Sequence, residues 1–291
     1  FAEVIAESIN FDLPDQYALA FDRTAIVDRA LAGLEIPEEL LDELRNSMAG
    51  HFPKTIGTQV HALRKVGHFT VLRVRPVNGE MRAIFRARSA EGGLAYYEFV
   101  LEDDLAGRVR AVDFFSHSGG AMMTELMRTY MATALAEERG RGVGVEFADG
   151  LLANQKTTSE VYSRLNREQP ALALAAWKRL PKRIRTNRLM TLLRIRIAHD
   201  LGNDDPDGFA KTVEDFRLRY PGEAAADVLA IDLFVAQKRY ADAAASVARL
   251  KKAIGGDPEL SIMQGRILML DGNAARSREL AEEALEEAPR Y

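Results

Sequence analysis

From Gly67 to Ser116 apolar and polar residues alternate, and this block constrains the fold more than any other part of the chain. Alternation with period two is the mark of strands buried on one face. "GHFTVLRVRP" is the first such segment. "GEMRAIFRARS" follows Asn78-Gly79, a dipeptide suited to a tight hairpin because both positions tolerate positive φ. "LAYYEFVLEDD" comes after Gly92-Gly93, and "GRVRAVDFFSHS" is entered through Gly107. Turns this short predict a four-stranded antiparallel meander, since parallel neighbours need long crossovers.

The alternation places Met81, Ala83, Phe85 and Ala87 on one face of the second strand, with Arg82, Arg86 and Arg88 on the other. In the third strand Tyr97, Phe99 and Leu101 oppose Tyr96, Glu98 and Glu102. The apolar face needs a cover. "PDQYALAFDRTAIVDRALAGL" and "PEELLDELRNSMAGHF", each opened by a proline and carrying helix-spaced apolar residues, supply it. "GGAMMTELMRTYMATALAEE" predicts a further helix after the sheet. On the charged face, arginines and glutamates predict cross-strand ion pairs. Tyr96 and Phe115 among them predict that this face is partly covered by the helical repeats further along the chain or by a second subunit.

Helices followed by a four-stranded meander resemble the cystatin-like or nuclear-transport-factor-like α+β cone, over residues 1–138 and by order of elements alone. The resemblance implies a dimerisation or ligand-binding module. "RGRGVGVEFADG" breaks both patterns, so residues 139–154 read as a glycine-rich linker. Its Gly140, Gly142 and Gly144 do not have the spacing of a dinucleotide fingerprint, and a helix rather than a strand precedes them.

Residues 155–291 read as helix throughout, and the last part repeats itself. A shift of 34 residues lays "RYADAAASVARL" (Arg239 to Leu250) on "NAARSRELAEEA" (Asn273 to Ala284), and Ile231 on Gly265. Gly265, Gly272, Ala284 and Pro289 then stand where the tetratricopeptide repeat has a small mid-helix residue, a turn glycine, a second-helix alanine and a closing proline. This half is similar to that family, with about four helix pairs, although most units lack the aromatic of the first helix. The expected fold class is therefore an α+β domain followed by an all-α helical-repeat domain. Stacked pairs of this kind leave a concave groove for an extended or helical peptide. By repeat position Asp232 and Arg266 face that groove, joined by Arg194 and His199. The leading expectation is a non-catalytic interaction or scaffold protein with a protein or peptide partner.

The alternative is a small enzyme or small-molecule binder with its pocket inside the N-terminal cone. "DFFSHSGG" is the most enzyme-like stretch, and Asp113 with His117 are the residues that would line such a pocket. Strand neighbours point apart, so the simpler reading is a strand end with Ser116 or Ser118 capping the next helix.

The absence of cysteine excludes disulfides, thiolate metal sites and thiol nucleophiles. The five histidines, at 51, 61, 68, 117 and 199, never fall at metal-ligand spacing, so neither a metal nor another cofactor is expected. Between Lys178 and Arg196 lie eight basic residues and no acidic ones. Aromatic interleaving is missing apart from Trp177, which reads as core, and the net charge is -4, so the run predicts a solvated or partner-facing patch rather than nucleic-acid binding. Glu279, Glu282, Glu283, Glu286 and Glu287 offer a complementary acidic face, which makes a homodimer one expected arrangement. No apolar run reaches the roughly 18 residues of a membrane span. A chain opening at Phe1 fits a form left by cleavage of an export signal, with a trimmed cytoplasmic chain as the alternative.

Overall fold

The computed structural model describes residues 1–139, 150, 153–201, 206–221 and 223–288. Gly140, Gly142 and Gly144 of the glycine-rich segment, and Pro289, lie outside the described residues. The protein is an α+β chain that divides into two compact units, Phe1–His117 with Ala121–Ala153, and Ser118–Gly120 with Asn154–Tyr291.

The first unit carries a five-stranded sheet in simple meander order: β1 (His68–Val77), β2 (Glu80–Arg88), β3 (Leu94–Asp103), β4 (Val109–Ser116) and β5 (Ala121–Met122), all antiparallel. Asn78 and Gly79 take φ of 52° and 85°, the paired positive values of the expected hairpin turn. β5 is a departure: Ala121 and Met122 pair with Ser116 and Phe115 before the chain turns helical. α5 accordingly begins at Met123 and runs to Arg139. β4 is also flanked on its first half, where Ala20–Asp22 form a parallel bridge through Phe21 and Ala111. Asp22 N–H donates to Ala111 O at 2.9 Å, and Ala111 N–H to Ala20 O at 2.9 Å.

That bridge explains why the first expected helix is broken in two, α2 (Pro14–Leu19) and α3 (Arg23–Leu31). The chain straightens to pair with β4, and the Asp22 carboxylate then restarts the helix by accepting from Ala25 N–H at 3.0 Å. α1 (Ala2–Asn10) precedes them, and Asn10 bonds both the carbonyl and the amide of Phe69 at 2.8 and 2.7 Å, tying the end of α1 to the start of β1. α4 (Glu38–Val66) runs well past the expected stop, through Pro53 and Gly57.

Ala83, Phe85, Ala87, Tyr97, Phe99 and Leu101 face the core, as alternation requires, and pack under Ile5, Tyr17, Phe21 and Phe52. Phe85 and Phe99 meet edge-to-face at 4.9 Å. Met81, at the strand end, is instead 46% exposed. The centre of the opposite face is not solvated: Tyr96, Arg82, Arg86 and Glu98 are buried, while Arg88 and Glu102 towards its ends are exposed. α3 and α5 both pack against β4, and from α3 the Arg29 guanidinium bonds Glu80 and Glu102 on this face.

The second unit is built from helix pairs: α6 (Gln155–Asn166) with α7 (Pro170–Arg179), α9 (Arg188–Leu201) with α10 (Pro206–Arg219), α11 (Ala225–Ala236) with α12 (Tyr240–Ile254), and α13 (Pro258–Leu270) with α14 (Ala274–Glu287). A short α8 (Lys182–Arg185) lies after the first pair. Three of the turns inside pairs share one geometry. Glu168, Lys238 and Gly272 are left-handed, with φ of 56°, 58° and 80°. In each, the next amide bonds the carbonyl five residues back: Gln169 to Arg164 at 2.9 Å, Arg239 to Phe234 at 2.8 Å and Asn273 to Leu268 at 2.8 Å. This is the 6→1 bond of a Schellman motif. A Cβ placed on Gly265 would stand 3.2 Å from Ser277 O, so this small residue is what lets α13 and α14 approach.

Candidate functional site

Two charged constructions stand out, one in each unit. The sheet sets Ile84, Glu98 and Phe115 side by side on one face, and Arg82, two residues before Ile84 and opposite Val100, stands diagonal to Glu98 on the same face. Across this face Glu98 is shared: Oε2 accepts from Arg82 Nη1 at 2.8 Å, and Oε1 lies 3.0 Å from His117 Nε2. Arg82 continues to Glu80 at 2.8 Å and Glu80 to Arg29 at 3.1 Å, so the ion pairs run diagonally over three elements. Burial pushes the Glu98 carboxyl up, but His117 and Arg82 outweigh it and hold it below the ordinary glutamate range. His117 sits edge-on to Phe115 at 5.0 Å and to Tyr96 at 6.5 Å, and its Nδ1 is buried without a hydrogen-bond partner among the described residues.

Asp113 has separate partners. Its carboxylate accepts from the amides of Phe114 at 2.8 Å and Thr124 at 3.1 Å, and from the Thr124 hydroxyl. Burial raises its pKa despite these bonds. The paired Asp113 and His117 of the expected pocket are therefore engaged apart, one at the start of α5 and one on Glu98. Asp113 bonds the Thr124 amide in the first turn of α5, and the two-residue β5 puts the start of that helix at Met123 rather than at Gly119.

In the helical unit Asp232 and Arg266 are exposed at equivalent positions of α11 and α13. His199 is exposed too, 3.3 Å from Asp200. Arg194, on α9, is only 7% exposed. The basic run is largely occupied: Arg179 pairs with Glu160, Arg188 with Glu223 at 3.2 Å, and Arg185 lies 5.3 Å over the Trp177 ring. Trp177 is half-buried, its Nε1 donating to Met190 O at 3.2 Å. The acidic face of α14 is also used within the chain, Lys251 reaching Glu283 at 3.5 Å and Glu287 at 3.8 Å.

The second construction was not anticipated. Asp227, in the first turn of α11, is 1% exposed and receives two arginines on one oxygen. Arg217 Nε and Arg249 Nε each lie 3.0 Å from its Oδ1, and Arg249 Nη2 lies 2.9 Å from the same atom. Ser246 Oγ accepts from Arg217 Nη2 at 2.7 Å. The triad lines a cleft of about 480 Å³ together with Tyr220, Pro221, Ala224 and Lys252. "AADVLAIDLFVA" carries two aspartates, Asp227 and Asp232, and only the first falls among the buried positions of the helix.

Among the described residues no group of three or more His, Asp or Glu side chains is arranged to hold a metal, and no helix is long and apolar enough to cross a membrane. Comparison with protein-family models, with curated proteins and with solved structures finds no match to this chain.

Proposed function

We propose that this chain is a non-catalytic interaction protein whose helical unit is a tetratricopeptide-like stack that receives a peptide or protein segment. The observation that carries this reading is the recurrence of one turn geometry at Glu168, Lys238 and Gly272, the last two 34 residues apart. Identical turns give successive pairs the same internal angle, and a stack of like pairs presents the same helix face at regular intervals. On that face Asp232 and Arg266 are exposed charged residues of two largely apolar helices, α11 and α13. Opposite charges at equivalent positions of neighbouring pairs suit a peptide that runs across the pairs and carries both signs. The α+β unit, with helices over an antiparallel meander, supports the likeness to a cystatin-like or nuclear-transport-factor-like module for dimerisation or ligand binding. The buried network on Glu98 favours a structural role for this unit's charges over a catalytic one.

The test is selection of binders from a random peptide display library against the full chain, followed by affinity measurement with an Asp232→Ala/Arg266→Ala variant. The reading expects a convergent peptide motif whose affinity falls at least tenfold in the variant. A motif bound equally by both proteins removes the Asp232–Arg266 face from consideration.

A further inference from the structure

The cleft beside Asp227 holds more positive charge than its own architecture neutralises. Two guanidiniums converge on a single carboxylate oxygen, and Ser246 fixes them further by accepting from both, at 2.7 Å from Arg217 and 3.3 Å from Arg249. Like charges brought together in this way repel, and the arrangement relaxes when a second anion arrives. Lys252, exposed on the same wall, makes no ion pair among the described residues. The other acid of the lining, Glu223, is engaged by Arg188 at 3.2 Å. The Nη1 groups of Arg217 and Arg249 take no part in the bonds to Asp227 or Ser246.

From this we infer that the cleft is a binding site for a carboxylate carried on a small apolar body. The lining sets Arg217, Arg249 and Lys252 beside apolar surface from Tyr220, Pro221, Ala224 and Ala253. Each guanidinium keeps its Nη1 for a further oxygen, and arginines already held by Asp227 lose little freedom when they bind a carboxylate through it. Arg217 and Arg249 keep 25% and 42% of their side-chain surface, so both are reachable. The volume, about 480 Å³, lies in the range of small-ligand clefts. Two sources have the required chemistry, a free organic acid and an acidic residue of a peptide. The site is distinct from the Asp232–Arg266 face, because Asp227 and Asp232 are separated by about 140° around the α11 axis.

Calorimetric titration of the full chain decides this with benzoate as the free acid, benzamide as its uncharged counterpart, and an acetylated glutamate-containing hexapeptide beside its glutamine analogue. The expected result is binding of at least one carboxylate probe ten or more times tighter than its neutral counterpart. It should weaken at least threefold in Lys252→Gln and tenfold in Arg249→Gln, and remain unchanged in Asp232→Ala/Arg266→Ala. Binding of benzoate identifies the free acid as sufficient, and binding of the glutamate peptide alone identifies a peptide-borne ligand. Lys252 is exposed and outside the triad, so its variant remains informative even if Arg249→Gln fails to fold. Failure of both carboxylates to outbind their neutral counterparts, or binding that Lys252→Gln leaves intact, overturns the inference without touching the peptide-display result.

Discussion

His117 Nε2 lies 3.0 Å from Glu98 Oε1, with both side chains about 5% exposed, on a sheet face whose alternating charges would suit contact with water. Once such a pair is enclosed, each member depends on the other for solvation. Glu98→Gln removes the charge while keeping the shape, leaving Arg82 and His117 without their shared anion. The expected cost is about 2 kcal/mol at neutral pH, read from urea denaturation.

The same pair sets a pH dependence. A carboxylate whose folded pKa is depressed contributes stability above its unfolded value and loses it as pH falls through the folded one. For Glu98 the loss begins near the ordinary glutamate value of 4.5 and continues below it. The stability difference between wild type and Glu98→Gln should therefore be constant at higher pH and shrink on acidification below that value. A difference that is independent of pH down to the acid transition would show that Glu98 is not the titrating group.

Asp113 behaves in the opposite sense. Burial raises its pKa, so the folded protein holds that proton more tightly and its ionisation costs stability as pH rises past the usual aspartate value of 3.8. Asp113→Asn retains an acceptor for the Thr124 and Phe114 amides without the charge. It should fall within about 1 kcal/mol of wild type, whereas Asp113→Ala, which abandons the cap, should cost about 1–2 kcal/mol in thermal or urea unfolding.

The shared turns of the helical unit make a two-sided prediction. Glu168 and Lys238 occupy left-handed backbone at φ of 56° and 58°, where a side chain is strained and glycine is not. Glu168→Gly and Lys238→Gly should each stabilise the protein by about 0.5–1 kcal/mol, while Gly272→Lys should destabilise it by a similar amount. Differential scanning calorimetry would resolve both signs.

Gly265 tests the helix contact directly. A Cβ there would meet Ser277 O at 3.2 Å and Leu280 Cβ at 3.7 Å. Gly265→Val adds further atoms against the backbone of the partner helix, and should cost about 2–3 kcal/mol in a urea titration.

How much of this was legible in the sequence follows from the range of the forces involved. Strand alternation and hairpin chemistry act over a few residues, so β1 to β4, the Asn78-Gly79 turn and the core set around Phe85 and Phe99 could be read directly. Helix pairing was readable wherever a local turn signal marked it, as at Gly272. The break at Ala20–Asp22 was not, because it answers to Ala111, which is far along the chain. Helix-spaced apolar residues mark α4 as far as Phe52, whereas the helix continues through Pro53, a residue that ordinarily ends one. At the sites, residue type alone could not show that Asp113 would turn to Thr124 and His117 to Glu98, or that Arg194 would be enclosed. Asp227 looked like any helix aspartate until Arg217 and Arg249, on two other helices, arrived on the same oxygen.

The flanking of β4 has a consequence for how this chain behaves when crowded. One lateral margin of a sheet is a template onto which another molecule's backbone can zip, and long open margins are where fibrillar growth starts. Here that margin is occupied in two instalments, by Ala20–Asp22 against Ala111 and by β5 against Phe115 and Ser116. The other margin, β1, carries Pro76, Arg73, Arg75 and a register break between Val71 and Arg73, each of which frustrates continuous pairing. Self-association of this unit is thereby steered away from strand addition and towards contacts between side chains, which can be reversible and finite in number.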